Sequence, residues 1–298
     1  YLSRQTEQVN LNNVEVGDVL VPLASEDFMN KIHSLHTQTH DLTVQSKKFY
    51  EEAENILLKE LGLDIHKQSD DAISVRNLAE CLQDNRFDAE YWQPEYDSII
   101  KKINSYRLGS SLISAEFKQI KSNFKPIEKQ DYNYIEIGDV NVFTGEVNSN
   151  SIQAEELPAN AKIMFGKRQL ITSKVRPNRG ATAVLDNHDG YIGSGAFVVL
   201  QEKESINLET LMVYLRLQPI KELLLRYNTG ISYPTITDSD LLKLPVPLID
   251  KKVQKKITEL VISAKKQRLK AKELLEKAKL AVEVFIEKDE VEAFKILK

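Results

Sequence analysis

Cysteine is almost absent from this chain: Cys81 stands alone among 298 residues. A single thiol excludes a disulfide framework and any zinc site built on cysteine pairs, and it fits a reducing compartment. Long apolar runs are missing too, none approaching the ~18 residues that cross a bilayer. The first stretch does not read as a signal peptide. We therefore expect a cytoplasmic chain with no membrane partner. There is also no surplus of one charge, since Lys+Arg 40 against Asp+Glu 44 leaves a net charge of −4. Nothing global advertises a polyanionic partner, so any phosphate contact has to come from a local patch.

Catalytic signatures are equally scarce. The sequence holds no Gly-x-Ser-x-Gly elbow, no His-Glu-x-x-His zinc helix and no Asn-Pro-Pro-aromatic tetrapeptide. His33, His36 and His40 are spaced to bring three imidazoles to one side of a helix as metal ligands. No cysteine or carboxylate completes the set, and the spacing reads as solvated helix surface. The stretch Gly190-Tyr191-Ile192-Gly193-Ser194-Gly195 has the glycines of a phosphate loop but lacks the strand-then-helix setting and the Lys-Ser/Thr that such loops need. It reads as a turn into a strand at 196–200. We expect no catalytic residues, no metal and no cofactor.

What the chain does have is a repeat. Val21-Pro22-Leu23 recurs as Val246-Pro247-Leu248, and an apolar ladder recurs at the same offset. Ile32, Leu35, Thr39, Leu42, Ser46, Phe49, Ala53 and Ile56 map onto Ile257, Leu260, Ala264, Gln267, Ala271, Leu274, Ala278 and Ala281. Alternating steps of three and four are the spacing of a coiled-coil seam. Ile32, Leu35, Leu42 and Phe49 are expected to pair with a set containing Ile257, Leu260, Leu274 and Val282. Small residues alternate with large ones along both ladders, which favours close packing of the two helices. Gly62 is a plausible stop for the first helix, and Asp250 a plausible cap for the second, which should run to about 287.

The expected organisation is thus a tail of some preceding domain at 1–25, a first long helix at 26–63, a globular insert at 64–249 and a second long helix at 250–298. Within the insert, an amphipathic piece at 89–103 leads to strand signals at 134–137, 145–147, 169–171, 183–185 and 196–200, then to a helical patch at 208–225. The fold class is α+β: one mixed, β-rich domain flanked by two long helices that form an antiparallel coiled coil.

Positive charge is concentrated locally. Lys167, Arg168, Lys174, Arg176 and Arg179 fall in one short run with no acidic residue, and Asn178 sits in its turn. Arginine forks onto guanine edges or phosphates and asparagine bonds adenine bidentately, so this run has the vocabulary of a DNA groove. Lys121 and Lys125 form a second basic stretch. Asn228, Thr229, Ser232 and Tyr233 form a hydroxyl- and amide-rich loop. Each of these also reads as an ordinary solvated turn.

Arg86-Phe87-Asp88-Ala89-Glu90-Tyr91-Trp92-Gln93-Pro94, then Tyr134-Ile135-Glu136-Ile137-Gly138-Asp139-Val140, then Ser173-Lys174-Val175-Arg176-Pro177-Asn178 occur in that order. Gly230, Pro234-Thr235-Ile236 and Leu244-Pro245-Val246-Pro247-Leu248 follow, before a long helix. Together with the helical repeat, this series resembles the specificity subunit of a Type I restriction-modification system. The resemblance implies a target-recognition domain that reads one half of a split double-stranded DNA site, with two spacer helices fixing the distance between readers. It implies partners as well: DNA adenine methyltransferase (modification) subunits that methylate, restriction subunits that cleave, and no catalysis by this chain. A full specificity subunit has two recognition domains, whereas this chain has one and the apparent tail of another. It is therefore expected to be part of a longer specificity subunit, the end of a polypeptide fused to its methyltransferase, or a half-length subunit acting as a homodimer. The rival reading is a helical-hairpin scaffold whose inserted domain binds another protein.

Overall fold

The computed structural model describes residues 16–19, 21–64, 73–230 and 232–298. Two compact units emerge: the described part of Tyr1–Lys48 with Ser263–Lys298, and Phe49–Ile262. Two long helices, α1 (Glu26–Glu60) and α8 (Lys251–Glu287), contribute to both. Both ends expected from sequence are built. Asp250 Oδ1 accepts the Lys252 N–H at 2.8 Å. At the end of α1, Gly62 adopts φ +62°, with Leu63 N–H donating to Leu58 O at 2.8 Å and Gly62 N–H to Lys59 O at 3.1 Å. This paired closure satisfies the last carbonyls of the helix and needs a left-handed residue, which glycine supplies without strain.

In the first unit the seam closes around small residues. Ser46, Ala264, Ala271, Ala278 and Ala281 are buried, whereas Ile32, Leu35 and Leu42 are half-buried. Ser46 Oγ donates to Ala264 O and accepts from Arg268 Nη1, both at 2.9 Å. Phe28 packs on Phe285 with ring centroids 5.0 Å apart. Positions rise along one helix as they fall along the other, so the pair is antiparallel. The region 250–298 is not one helix, however. Asp289 caps a further helix, α9 (Glu290–Leu297), its side chain accepting the Glu292 N–H at 2.9 Å. α9 folds back so that Phe294 meets Phe28 edge-on at 5.7 Å, and Glu290 Oε2 accepts the Ser25 N–H at 2.9 Å. Residues 1–15 and 20, expected to end a preceding domain in strands, lie outside the described residues. Val16 and Gly17 are helical, not extended.

In the second unit, Tyr50, Ala53 and Leu57 of α1 and Gln254, Ile257 and Val261 of α8 are buried. The insert opens with α2 (Leu78–Asp84), α3 (Pro94–Asn104), β1 (Ser110–Leu112) and α4 (Ile113–Glu116). It closes with β10 (Pro245–Pro247), which pairs antiparallel with β1, Ser111 opposite Val246. Tyr106 ties the two ends together: its hydroxyl donates to Glu60 Oε1 at 2.7 Å and accepts the Asp250 N–H at 3.3 Å.

Between these ends lie two four-stranded sheets. One has the order β2 (Phe117–Ile120), β9 (Phe197–Glu202), β6 (Gln169–Ser173) and β7 (Thr182–Leu185), all antiparallel. The other runs β4 (Asn150–Gln153), β3 (Asp131–Ile135), β8 (Ile192–Ser194) and β5 (Ala161–Met164), with β3 and β8 parallel. Ile135, Ile163 and Phe165 from one side and Ile171, Ala183, Phe197 and Val199 from the other share a core. Alternating burial along β5 and full burial of β6 follow from which faces that core covers. Gly193 has no side chain because a Cβ there would lie 2.1 Å from Cζ of Phe165. The glycine stretch around it is thus a packing feature of β8, consistent with a turn and strand. The expected strand at 145–147 is reduced to a bridge between Val140 and Val147. The helical patch at 208–225 is broken at Leu217 into α5 (Leu208–Arg216) and α6 (Gln218–Leu225), because Pro219 cannot continue a helix begun before it. α7 (Asp238–Leu242) follows, capped by Thr237. No helix among the described residues is long and apolar enough to cross a membrane.

Candidate nucleic-acid interface

The basic run does not form one patch. Lys167 and Arg168 precede β6 while Lys174, Arg176 and Arg179 follow it, so the strand separates Arg168 from Lys174 by about 20 Å at ~3.3 Å per residue. Arg168 is occupied at its own end: Nη2 donates to both oxygens of Glu209 at 2.9 Å, and Nη1 reaches Asp186 at 3.1 Å. Glu209 is only 6% exposed, so this pair neutralises a buried carboxylate. Lys174 is likewise paired, with Asp238 at 2.7 Å.

Beyond Lys174 the chain is held by a second segment. Ile236 N–H donates to Lys174 O at 3.0 Å, Arg176 N–H to Pro234 O at 2.7 Å, and Val175 bridges Thr235. Arg176 is left-handed, at φ 49° and ψ 54°, immediately before Pro177. Pro177 is buried, whereas Arg176, Asn178 and Arg179 are exposed. The Arg176 guanidinium lies over the Tyr233 ring, 5.4 Å from its centroid. A left-handed arginine is strained, and the backbone hydrogen bonds on either side of it make that strain tenable.

The loop carrying Tyr233 is shaped from within. Asn228 Oδ1 accepts the N–H groups of Gly230 at 2.9 Å and Thr235 at 3.0 Å, and Thr229 N–H donates to Thr235 O at 2.9 Å. Asn228 and the backbone of Thr229, both expected as DNA contacts, therefore hold the loop's shape, and Thr229, Ser232 and Tyr233 are exposed. Gly230 is required here because a Cβ would lie 2.0 Å from Tyr233 O.

A third loop, residues 141–146, completes a groove of about 570 Å³ lined by Arg176, Arg179 and Tyr233 together with Ile137, Asn141 and Phe143. Sequence reasoning missed this loop. Its signal is Asn141 followed four residues later by Gly145, a turn built around an apolar residue. Buried Arg216 supports it: Nη2 donates to Val142 O at 2.7 Å, and Cζ stands 4.7 Å from the centroid of Tyr50 on α1. Glu54, nearby on α1, has its carboxyl pushed above the usual range by burial, which outweighs the lowering by Arg216 and Lys221.

Lys121 and Lys125 are exposed. Lys121 follows β2, whose Ile120 aligns with Val199, which in turn aligns with Ile171. It therefore leaves the sheet at the same end as Lys174 and the Arg176 turn. The stretch Arg86–Pro94 has a structural role instead. Trp92 Nε1 donates to Arg86 O at 2.9 Å, Arg86 forks onto Asp88 at 2.6 Å, and buried Arg226 lies 4.3 Å from the Tyr91 centroid. Burial in this stack pushes the Tyr91 hydroxyl up to about 12. His33, His36 and His40 are exposed, and among the described residues no cluster of His, Cys, Asp and Glu could hold a metal ion.

A sequence model of the Type I restriction modification DNA specificity domain matches residues 86–277, well over half of the chain and including every part of the groove. The chain belongs to that family. No curated protein sequence matches it. Solved structures similar to this specificity-domain chain include one from a study of complex assembly and conformational transition of the type I R-M system, at 20% identity and a TM-score of 0.45. Another is the HsdS subunit from Thermoanaerobacter tengcongensis, at 17% identity and a TM-score of 0.40. Each covers 59% of this chain, which spans 46% of each of theirs, about half their length. A third is the S subunit of a Type-I restriction-modification system from M. genitalium, at 12% identity and a TM-score of 0.48, covering 100% of this chain and 67% of its own. The assignment of this specificity-domain chain to its family rests on the domain match.

Proposed function

We propose that this chain is a non-catalytic, sequence-reading component of a Type I restriction-modification complex. Its domain at 64–249 reads a half-site in double-stranded DNA, and the helix pair acts as spacer and as docking surface for modification subunits. Methylation of adenine and cleavage of DNA then belong to the modification and restriction subunits. The observation that carries this reading is the convergence of exposed Arg176 and Arg179 with Tyr233 on one groove, on turns fixed by backbone hydrogen bonds, with exposed Asn178 between the two arginines in the chain. Pre-set donors on rigid loops are what base reading requires, because each contact is then made with little ordering cost. Lys121, at the same end of the sheet, and exposed Lys125 supply phosphate contacts that orient the duplex. Arg168, Lys174, Asn228 and Thr229 belong to the framework.

A protein-binding scaffold is the rival reading. It is favoured by the exposed apolar residues Ile73, Val75, Leu78, Leu82 and Phe87. Selection from a randomised duplex library, with the chain alone and with a modification subunit, separates the two. We expect one short motif to be enriched, as a lone half-site or as half of a split site. Retained DNA without any enriched motif in both arms would refute base reading and leave the scaffold.

A further inference from the structure

Phe143 is 83% exposed, more than Phe87 at 63% or Tyr233 at 46%. A single exposed apolar residue is ordinary on a protein surface. Phe143 is set apart by how firmly it is held and by the arginines that share its groove. Asn141 Oδ1 accepts the N–H groups of both Phe143 at 2.9 Å and Thr144 at 3.0 Å. Gly145 N–H closes the turn on Asn141 O at 2.8 Å, and Asn141 N–H donates to Glu146 O at 2.9 Å. Arg216 grips the carbonyl of the preceding residue, Val142, from inside the domain. Gly145 sits at φ +71°, and a Cβ there would lie 2.6 Å from Nη1 of Arg216, so the turn fits on its support only without a side chain. Val140 and Val142 on either side of Asn141 pack inward. The ring is thus the one apolar group of its loop directed away from the core, on a turn that cannot fold it back, and it lines the groove of Arg176 and Arg179.

We propose that Phe143 is a wedge: its ring enters a base step of the target duplex and partly unstacks it, while the two arginines hold the duplex beside it. This rests on the DNA-reading function proposed above. A phenyl ring has no polar atom to offer a base edge. Its possible partners in a duplex are the stacked base faces, reached by opening a step, and the thymine methyl in the major groove. A ring fixed at the tip of a rigid, projecting turn suits insertion. A methyl contact would require a thymine at the contacted step, and thymine-to-uracil replacement separates it from insertion. The two cations supply the charge complementarity that brings the duplex to the ring.

The test uses the whole chain and the duplex enriched from the randomised library, carrying 2-aminopurine at successive positions in a series of probes. Unstacking brightens this base. The wild type is expected to brighten the probe at one step severalfold. Phe143→Ala should return that signal to the free-duplex level and weaken binding by roughly 10–100-fold, the scale of one aromatic–base stack. An unchanged melting temperature would show that the exposed ring does nothing for the fold. Phe143→Leu, which keeps an apolar tip, should retain part of the brightening. A wild type that binds with every probe silent overturns the wedge, as does Phe143→Ala binding as tightly as wild type. If thymine-to-uracil replacement weakens the wild type as much as the Phe143→Ala change does and the probes stay silent, the ring reads a methyl and the wedge is wrong. A wild type that enriches no motif removes the DNA reading and the wedge together.

Discussion

Replacing Arg176 by alanine removes an exposed guanidinium from a turn whose shape is set by backbone bonds to Pro234 and Thr235. We expect the melting temperature to hold and discrimination at one base pair to fall by about 1–3 kcal/mol, read as competition between cognate and single-mismatch duplexes. Arg168→Ala should do the reverse. It strands the buried Glu209 carboxylate and costs roughly 1–3 kcal/mol of stability in denaturant unfolding. The preference among duplexes should stay unchanged. These residues sit close together in one basic run, and nothing in the sequence distinguishes them. Only the intervening strand and the carboxylates of Glu209 and Asp186, which meet the Arg168 side chain, assign the roles.

Among the elements, the seam of the helix pair is the part most sensitive to volume. Ala271 is 5% exposed and opposite a helix held close by Ser46, so Ala271→Leu should cost roughly 1–3 kcal/mol through overpacking, seen as a lower melting temperature. Glu54 gives a test with a sign. Its folded carboxyl titrates above the unfolded one, so the folded chain holds the proton more tightly and stability falls as pH rises through that raised range. Glu54→Gln should therefore match or exceed the wild-type melting temperature at pH 7, and the advantage should vanish below the ordinary carboxylate range. A clear loss at pH 7 would mean that the attraction of Arg216 outweighs burial.

Element recognition from sequence succeeded where one period dominates. The three-and-four ladder located α1 and α8, though not the break after Glu287, and apolar runs located β6, β7 and β9. Short strands with exposed positions, such as β4 with Ser151 and Gln153 in solvent, carry no such pattern, and neither do the half-buried residues of β1. α9 hides behind a two-residue break in what looks like continuing helix. Its only local signal is Asp289 three residues before Glu292. Of the groove, the Arg176 turn and Tyr233 were legible as residue types. Phe143 and the inner work of Asn228 were not, because which way a side chain faces in a loop depends on hydrogen bonds made by distant residues.

For the molecule as a whole, a net charge of −4 means that the proposed DNA affinity cannot come from a diffuse positive field. Binding should weaken steeply with salt only in proportion to a few phosphate contacts. Lys121→Ala should flatten the log–log salt slope by about 1, equally for cognate and unrelated duplexes. An unchanged slope would place Lys121 off the DNA. If two copies associate in solution, the enriched motif should be a symmetric split palindrome.

The groove loops also divide their labour between inward and outward side chains. Asn141, Asn228 and Arg216 fix the backbone from inside, while Phe143, Asn178 and Arg179 project from it and hold nothing up. Substitutions at the projecting positions therefore leave the folding free energy nearly untouched. A domain that reads DNA as proposed can drift to a new target by exchanging a few outward letters without passing through unfolded ancestors. For a system whose value lies in telling one DNA from another, that decoupling is an evolutionary freedom written into the loops.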